Sequence, residues 1–446
     1  MNYITLILYL IVVGLLRVTL ILFAGDPTDV QFSETGDHLV YHTVAKALSR
    51  DLSSWFSAGG EFGYRAPGYF IYLSGVYYFL PNASFQIGQV ATSIVGVFNC
   101  ALVFFLVNNT VQNKSASLSF WTRGLLPCFV ITDTFVLSEP LFATFLLSAL
   151  VVLSLRPTAP TLVQSAVAGT LIGCCLLTRE AALLYPVIFA GYLYLVPKSE
   201  SRATRVWCVT WFAVCFLLVL MPWMYRNAVV WGKILPLSYT AGVNLHIGNN
   251  AGATGNFVSP PEDDLPQTIK WGTPEYESWH RTKALAFIAE NPGEFLLLGV
   301  KKLAWFVWPR FIRDDIRVIY QFPKQWTLAL SIISGVSSAC LLLAGSIGFI
   351  LRKPDWLWWI TGALISSTIG ITFVVVGSPR YRDILDYLLI PNAAFLICQW
   401  RSLCVDLMGG GSTIRRKLWM IVLVVSFFIG CWGWVGSMMV FGSRGL

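Results

Sequence analysis

Charged side chains are scarce in this sequence: Lys, Arg, Asp and Glu make up 12% of 446 residues, while 56% are hydrophobic. That shortage excludes an ordinary soluble globular protein, whose charged fraction is about twice as large. No basic tract of the kind that marks a nucleic-acid surface is present. The net charge of +8 is therefore assigned to membrane orientation and to contact with anionic lipid headgroups, with no nucleic-acid partner. The ten cysteines fall in apolar segments or on the side read as cytoplasmic, none in the two long polar loops, which excludes a disulfide framework. None has metal-type spacing, and the Cys174-Cys175 pair is read as helix packing. There is no fixed-period repeat and no low-complexity linker.

What is present in quantity is apolar and aromatic, with 30 Phe, 18 Trp and 17 Tyr. About 20 apolar residues cross a bilayer as a helix, and backbone polar groups in lipid must be paired within the chain. The predicted class is an all-α integral membrane protein. Hydropathy gives spans at residues 3–23, 85–107, 118–135, 139–155, 162–178, 182–197, 205–222, 326–350, 356–376, 384–400 and 418–440, eleven in all. "PGYFIYLSGVYYFLP" (67–81) is short and closed by proline, and "EFLLLGVKKLAWFVWPR" (294–310) has Lys301 and Lys302 at its centre. Both read as interfacial or re-entrant helices.

Loop charges support that choice. With a cytoplasmic N-terminus, the short inner loops carry eleven Lys or Arg against Glu200, Asp355 and Asp406, the bias expected of cytoplasmic loops. The first outer loop has the opposite balance, with Asp26, Asp29, Glu34, Asp37, Asp51 and Glu61 against Lys46, Arg50 and Arg65. The first segment is too long for a signal peptide and lacks a small-residue cleavage site, so it reads as an uncleaved span. One membrane domain over residues 1–446 is expected, with large outer loops at 24–84 and 223–325 and the chemistry on the outer face of a plasma (inner) membrane.

The polar residues of those loops are patterned. On a helical wheel "ETGDHLVYHTVAKAL" (34–48) gathers Glu34, Asp37, His38, Tyr41 and His42 within an arc of about 140°, opposite Val40, Val44 and Ala47. Such a face is a solvated surface, a metal site from Glu34, His38 and His42, or an acid or base facing a substrate. Ligands on three successive turns of a straight helix diverge, which disfavours the metal. Arg65 precedes the Pro67-Gly68 turn, where its fork of donors suits a phosphate, or a headgroup against which it snorkels. Asp133 and Glu139 straddle a turn and could each cap a helix. Arg179-Glu180 reads as a neighbouring ion pair, and Asp383 or Asp386 as a partner for Arg380 or Arg382. Asn244 and Asn249 are weak candidates in a loop rich in Gly and Asn (242–257), and the lone His246 and His280 are weaker still.

In order, "GDHLVYHTVAKAL", "YRAPGYFIYL", "LSEPLFATFLL", "LLTREAALLYP", "PWMYRNAVVWGKILPLSYTAGVNLHIGNNAGATG", "ENPGEFLLLGVKKLAWF" and "SPRYRDILDYLLIP" resemble the GT-C glycosyltransferases. The resemblance is to the branch of protein O-mannosyltransferases and lipid A aminoarabinose transferases (glycosyltransferase family 39 type). It runs from residue 1 to about residue 400. It implies a GT-C bundle that transfers a monosaccharide, hexose or pentose, from a polyprenyl-phosphate carrier to a lipid, glycan or protein acceptor, with inversion. Asp37 stands where the family carries an essential acid, with Tyr41 as the aromatic that follows. Arg65 matches the basic residue that contacts the donor phosphate, and Glu139 matches a second acid at a span end. Arg226, Arg380, Tyr381 and Arg382 resemble the donor-binding rim. Protein mannosyltransferases have Asp-Glu where this chain has Asp37-His38, a departure from their acceptor chemistry. The family is mixed on metals, and no divalent metal or other cofactor is expected here, because a lipid phosphate is already a fair leaving group.

The same residue types follow from the reaction. Displacing a phosphate from an anomeric carbon calls for a carboxylate near the acceptor hydroxyl and arginines near the phosphate. Two rival classes remain: a polysaccharide ligase or polymerase, whose catalytic residues would concentrate in a late loop, and a secondary transporter, which would show charges near the bilayer midplane. Arg17 is the main charge of that kind.

Overall fold

The computed structural model describes residues 3–23, 37–56, 61–111, 113–196, 200–312, 323–408 and 412–442. Among these every regular element is helical, as internal pairing of the backbone in lipid requires. Ile4–Leu22, Phe85–Thr110, Arg202–Trp231, Lys324–Leu351, Trp356–Val374 and Ile414–Met439 are each long and apolar enough to cross a membrane. Glu139–Ser154, Leu162–Thr178 and Glu180–Leu195 are shorter apolar helices of the same bundle. The chain is a multi-pass membrane protein. The stretch 118–135, expected as one span, is instead two helices, Asn113–Leu125 and Pro127–Asp133. Pro127 opens the second because its ring has no N–H to continue the first.

That break places charge inside the bundle. Asp133, fully buried, accepts from Arg17 Nε at 2.9 Å and Nη2 at 2.7 Å. Arg123 adds a two-pronged contact at 2.9 and 2.7 Å and also donates to the Tyr387 hydroxyl at 2.8 Å. Arg17 satisfies its remaining donors on Val13 O and Gly124 O. Asp133 therefore does not cap a helix start; it pairs with two arginines from separate helices, and the group keeps one net positive charge. Its carboxylate lies against the backbone of Gly96, where an added Cβ would come within 2.2 Å of Asp133 Cγ.

Shorter helices form a layer at one end of the bundle. Asp37–Arg50 and Gly68–Phe79 pack through Tyr41, Ala45, Leu48, Tyr69, Phe70 and Leu73. The expected interfacial stretch 67–81 thus buries one face against protein. Ala241–Gly248 and Pro274–Glu290 pack together, with Val243, Ile247 and Tyr276 against Val376. In Pro292–Phe306, Lys302 is fully buried, and its Nζ donates to Asn249 Oδ1 at 2.8 Å and Val374 O at 3.0 Å. That lysine pins the 241–306 segment to the end of the Trp356–Val374 helix.

Candidate active site

Five charged side chains meet where several helices end. Asp37 opens the Asp37–Arg50 helix and Glu139 opens Glu139–Ser154, positions at which the helix dipole favours an anion. Arg179 directly follows the last residue of Leu162–Thr178, where the same dipole favours a cation. Arg65 lies in the turn before Gly68–Phe79, and Arg380 lies in the 3₁₀ turn Pro379–Arg382. Gly68 allows that turn to close on its neighbour: a Cβ there would sit 2.7 Å from Thr178 Oγ1 and 2.8 Å from Leu177 O.

The charges alternate along a chain of contacts. Arg65 Nη1 donates to Asp37 Oδ1 at 2.6 Å, and Arg380 Nη1 donates to Asp37 Oδ2 at 2.7 Å. Arg380 Nε reaches on to Glu139 Oε1 at 2.6 Å, where Arg179 Nη1 also arrives at 2.9 Å. Arg179 Nη1 in addition donates to Ser138 Oγ at 3.1 Å. Three guanidiniums and two carboxylates leave one net positive charge. Burial alone would push the Asp37 carboxyl up, but the charges of Arg380 and Arg65 outweigh it and hold Asp37 well below the usual carboxylate range. Glu139 is buried, and its Oε2 has no hydrogen-bond partner among the described residues.

Tyr41 stands behind this chain, its hydroxyl 3.5 Å from Ser138 Oγ and its ring edge-on to Tyr69. Tyr381 is half-buried between the bundle core and the cluster around Val243 and Val376. Burial raises the phenols of both tyrosines. His38 packs edge-on to Phe85, and burial pushes its imidazole down to about 4. His42 turns away, its Nδ1 2.8 Å from the Tyr77 hydroxyl. Glu34 lies outside the described residues, so the structure does not place the Glu34, His38 and His42 alternative as a set.

Two residues assigned to the donor-binding rim sit elsewhere. Arg226 donates to Trp55 O at 3.0 Å and packs over the Phe62 and Trp223 rings. Arg382 is fully buried and is occupied by Asp386 at 3.0 Å, Trp308 O at 2.8 Å and Ser338 Oγ at 3.0 Å. Arg382 supports the turn that presents Arg380, while Arg310 pairs with Asp383. The residue missed is Arg179, read as paired with Glu180. The two diverge: Glu180 accepts from Ser238 N at 2.7 Å, Ser238 Oγ at 2.5 Å and Thr240 Oγ1 at 3.2 Å. The available signal was the one that selected Arg65 and Arg380, a basic residue at a span end.

The donor set suits an anion. Each carboxylate is bonded to two guanidiniums, which repel a divalent cation, and among the described residues no three His, Cys, Asp or Glu side chains converge to hold one. These five side chains suit an anion rather than a divalent cation.

A separate buried group lies between Ala241–Gly248 and Pro274–Glu290. His246 and His280 face each other with Nδ1 atoms 2.8 Å apart, beside Trp279, Tyr276, Glu262, Asp264 and Lys283. Burial lowers both imidazoles, that of His246 to about 4. The unfolded chain therefore binds protons there that the folded pair refuses, so the stability of this segment is complete above about pH 6.5 and falls as the pH drops toward 4. Limited proteolysis between residues 241 and 290 is expected to accelerate across that window in the wild type and to be flatter in His246→Gln.

No protein-family model matches the sequence, and no curated protein matches it significantly. Among solved structures, the apo oligosaccharyltransferase of Archaeoglobus fulgidus is similar with a TM-score of 0.51 and 14% identity over 96% of this chain and 55% of that one. The same enzyme with Zn and sulfate gives 0.50 and 13%, over 95% and 52%. ArnT from Cupriavidus metallidurans bound to undecaprenyl phosphate aligns over 89% of this chain and 78% of its own, with a TM-score of 0.45 and 13% identity. The chain spans about half the length of the archaeal oligosaccharyltransferase chains. At such identities the likeness is one of fold: this chain is similar in architecture to the archaeal oligosaccharyltransferase over about half of that chain.

Proposed function

We propose that this protein is a glycosyltransferase that moves a monosaccharide from a polyprenyl-phosphate carrier to an acceptor hydroxyl, with inversion, at the outer face of the membrane. The observation that carries the proposal is the chain of Arg65, Asp37, Arg380, Glu139 and Arg179 contacts, which puts an excess of guanidinium beside an acid at one end of a membrane bundle. The fold shared with an oligosaccharyltransferase supports the reaction class. The direction of the chain agrees as well. Glu139 starts its helix while Arg179 and Arg380 follow the ends of theirs, and alternating helices then bring all three to the face that loop charges mark as outer.

In this reading the arginines receive the phosphate and stabilise it as it leaves. Asp37 orients the acceptor hydroxyl and takes its proton. Glu139, buried and bonded to both Arg380 and Arg179, holds these two arginines in position. The outer segment after the Arg202–Trp231 helix takes part in choosing the acceptor.

The test is sugar transfer by purified protein in detergent, given radiolabelled polyprenyl-phosphate monosaccharides. Wild type is expected to turn over one of them. Arg65→Ala is expected to raise the donor KM by about tenfold or more, since it removes one charged donor to the phosphate. A wild type inert toward the whole panel, though folded, would reject the reading.

A further inference from the structure

Asp37 is poorly placed to be a base in the arrangement just described, because both of its oxygens are held by guanidiniums at 2.6 and 2.7 Å. The two ends of the charge chain differ in access. Side-chain exposure is 23% at Arg65, 26% at Asp37 and 32% at Arg380, against 15% at Arg179 and 2% at Glu139. Exchange of partners is therefore possible at the Asp37 end, while the sealed Glu139 end, gripping Arg380 Nε at 2.6 Å, keeps that arginine in place.

We infer that Arg65 and Arg380 are handed from Asp37 to the donor phosphate during the reaction, so that formation of the phosphate monoester and protonation of Asp37 are coupled. The inference rests on the proposed transfer reaction. As the acceptor oxygen bonds to the anomeric carbon, the bond from that carbon to the phosphate oxygen breaks and the electron pair stays on the phosphate. The acceptor proton goes to Asp37. The donor is a phosphodiester with one negative charge, matched by the single excess positive charge of the site. The product is a monoester approaching two negative charges. Protonating Asp37 removes one negative charge from the protein, so the site matches its ligand before and after the step. The Nη1 donors of Arg65 and Arg380, no longer engaged by the Asp37 carboxylate, turn to the phosphate, while Arg380 Nε stays on Glu139.

Asp37→Asn imitates the protonated state, which makes the inference testable by binding alone. Purified wild type, Asp37→Asn and Asp37→Ala are titrated in detergent with undecaprenyl phosphate, a monoester, and with methyl undecaprenyl phosphate, a diester. Thermal unfolding checks that each variant is folded. Both variants are expected to bind the monoester about fivefold to tenfold more tightly than wild type and the diester with a smaller gain. In Asp37→Asn/Arg65→Ala the monoester gain should largely vanish. Folded variants that bind the monoester no better than wild type, or that gain equally for both lipids, would overturn the handover and leave the proposed function standing. A wild type that binds neither lipid would overturn both.

Discussion

Asp37→Asn is expected to lower the rate of sugar transfer by about 10²- to 10⁴-fold, the range associated with loss of a positioned general base. The substitution keeps the shape and one acceptor oxygen toward Arg65 or Arg380, but an amide does not take up a proton near neutral pH. Most of the loss should appear in kcat. If the monoester product binds more tightly in the same variant, inhibition by undecaprenyl phosphate strengthens while turnover collapses, a split that general misfolding does not produce. The stability change should be small. Because the folded Asp37 carboxyl is depressed, its contribution to stability is present above the ordinary value of 3.8 and is lost as pH falls below it. At 26% side-chain exposure, solvent screening limits that contribution to about 1 kcal/mol. Steady-state kinetics at saturating acceptor, with a melting curve on the same preparation, checks both parts. Transfer at the wild-type rate would remove Asp37 from the chemistry.

The sequence and the structure agree most where hydropathy alone decides placement. Asp37, Arg65, Glu139 and Arg380 lie at predicted span ends or in the first polar loop, and they converge because a bundle brings such ends to one level. Direction around a helix end is a different matter. Arg382 is two residues from Arg380, yet Asp386, one helical turn ahead, draws it into the bundle. Arg226 is directed by the aromatic pair Phe62 and Trp223, which are distant in sequence from one another. Arg179 has extended backbone, with φ −151° and ψ 130°, before a 3₁₀ turn, so it and Glu180 point apart although they are neighbours. No pattern of residue types fixes these outcomes, because each depends on tertiary partners. The break at Pro127 was legible as a residue, but its consequence depended on Arg17 and Arg123 arriving from other helices.

That interior triad carries the largest expected stability effect. Asp133→Ala is expected to destabilise the protein by about 3–5 kcal/mol, because it leaves two fully buried guanidiniums facing each other without a counter-charge. In a membrane protein of ordinary stability this should appear as a sharp loss of monodisperse material in detergent and a lower unfolding temperature. Removing the whole group should be much milder. Arg17→Met/Asp133→Leu/Arg123→Met replaces the charges with apolar side chains of similar volume, which costs little when packing is preserved. Recovery of the folded yield in the triple variant, but not in Asp133→Ala, would identify uncompensated charge as the cause. Failure of the triple variant to recover would show instead that the geometry of the ion group is required. There is reason to expect an effect on the site in either case. Ser93 Oγ holds Asp133 O at 3.0 Å and Gln89 Nε2 holds Thr134 O at 2.8 Å, so the turn that ends at Ser138 and Glu139 begins at Asp133. A triple variant that folds but transfers sugar slowly would mean that the buried ion group sets the position of Glu139, and through it that of Arg380.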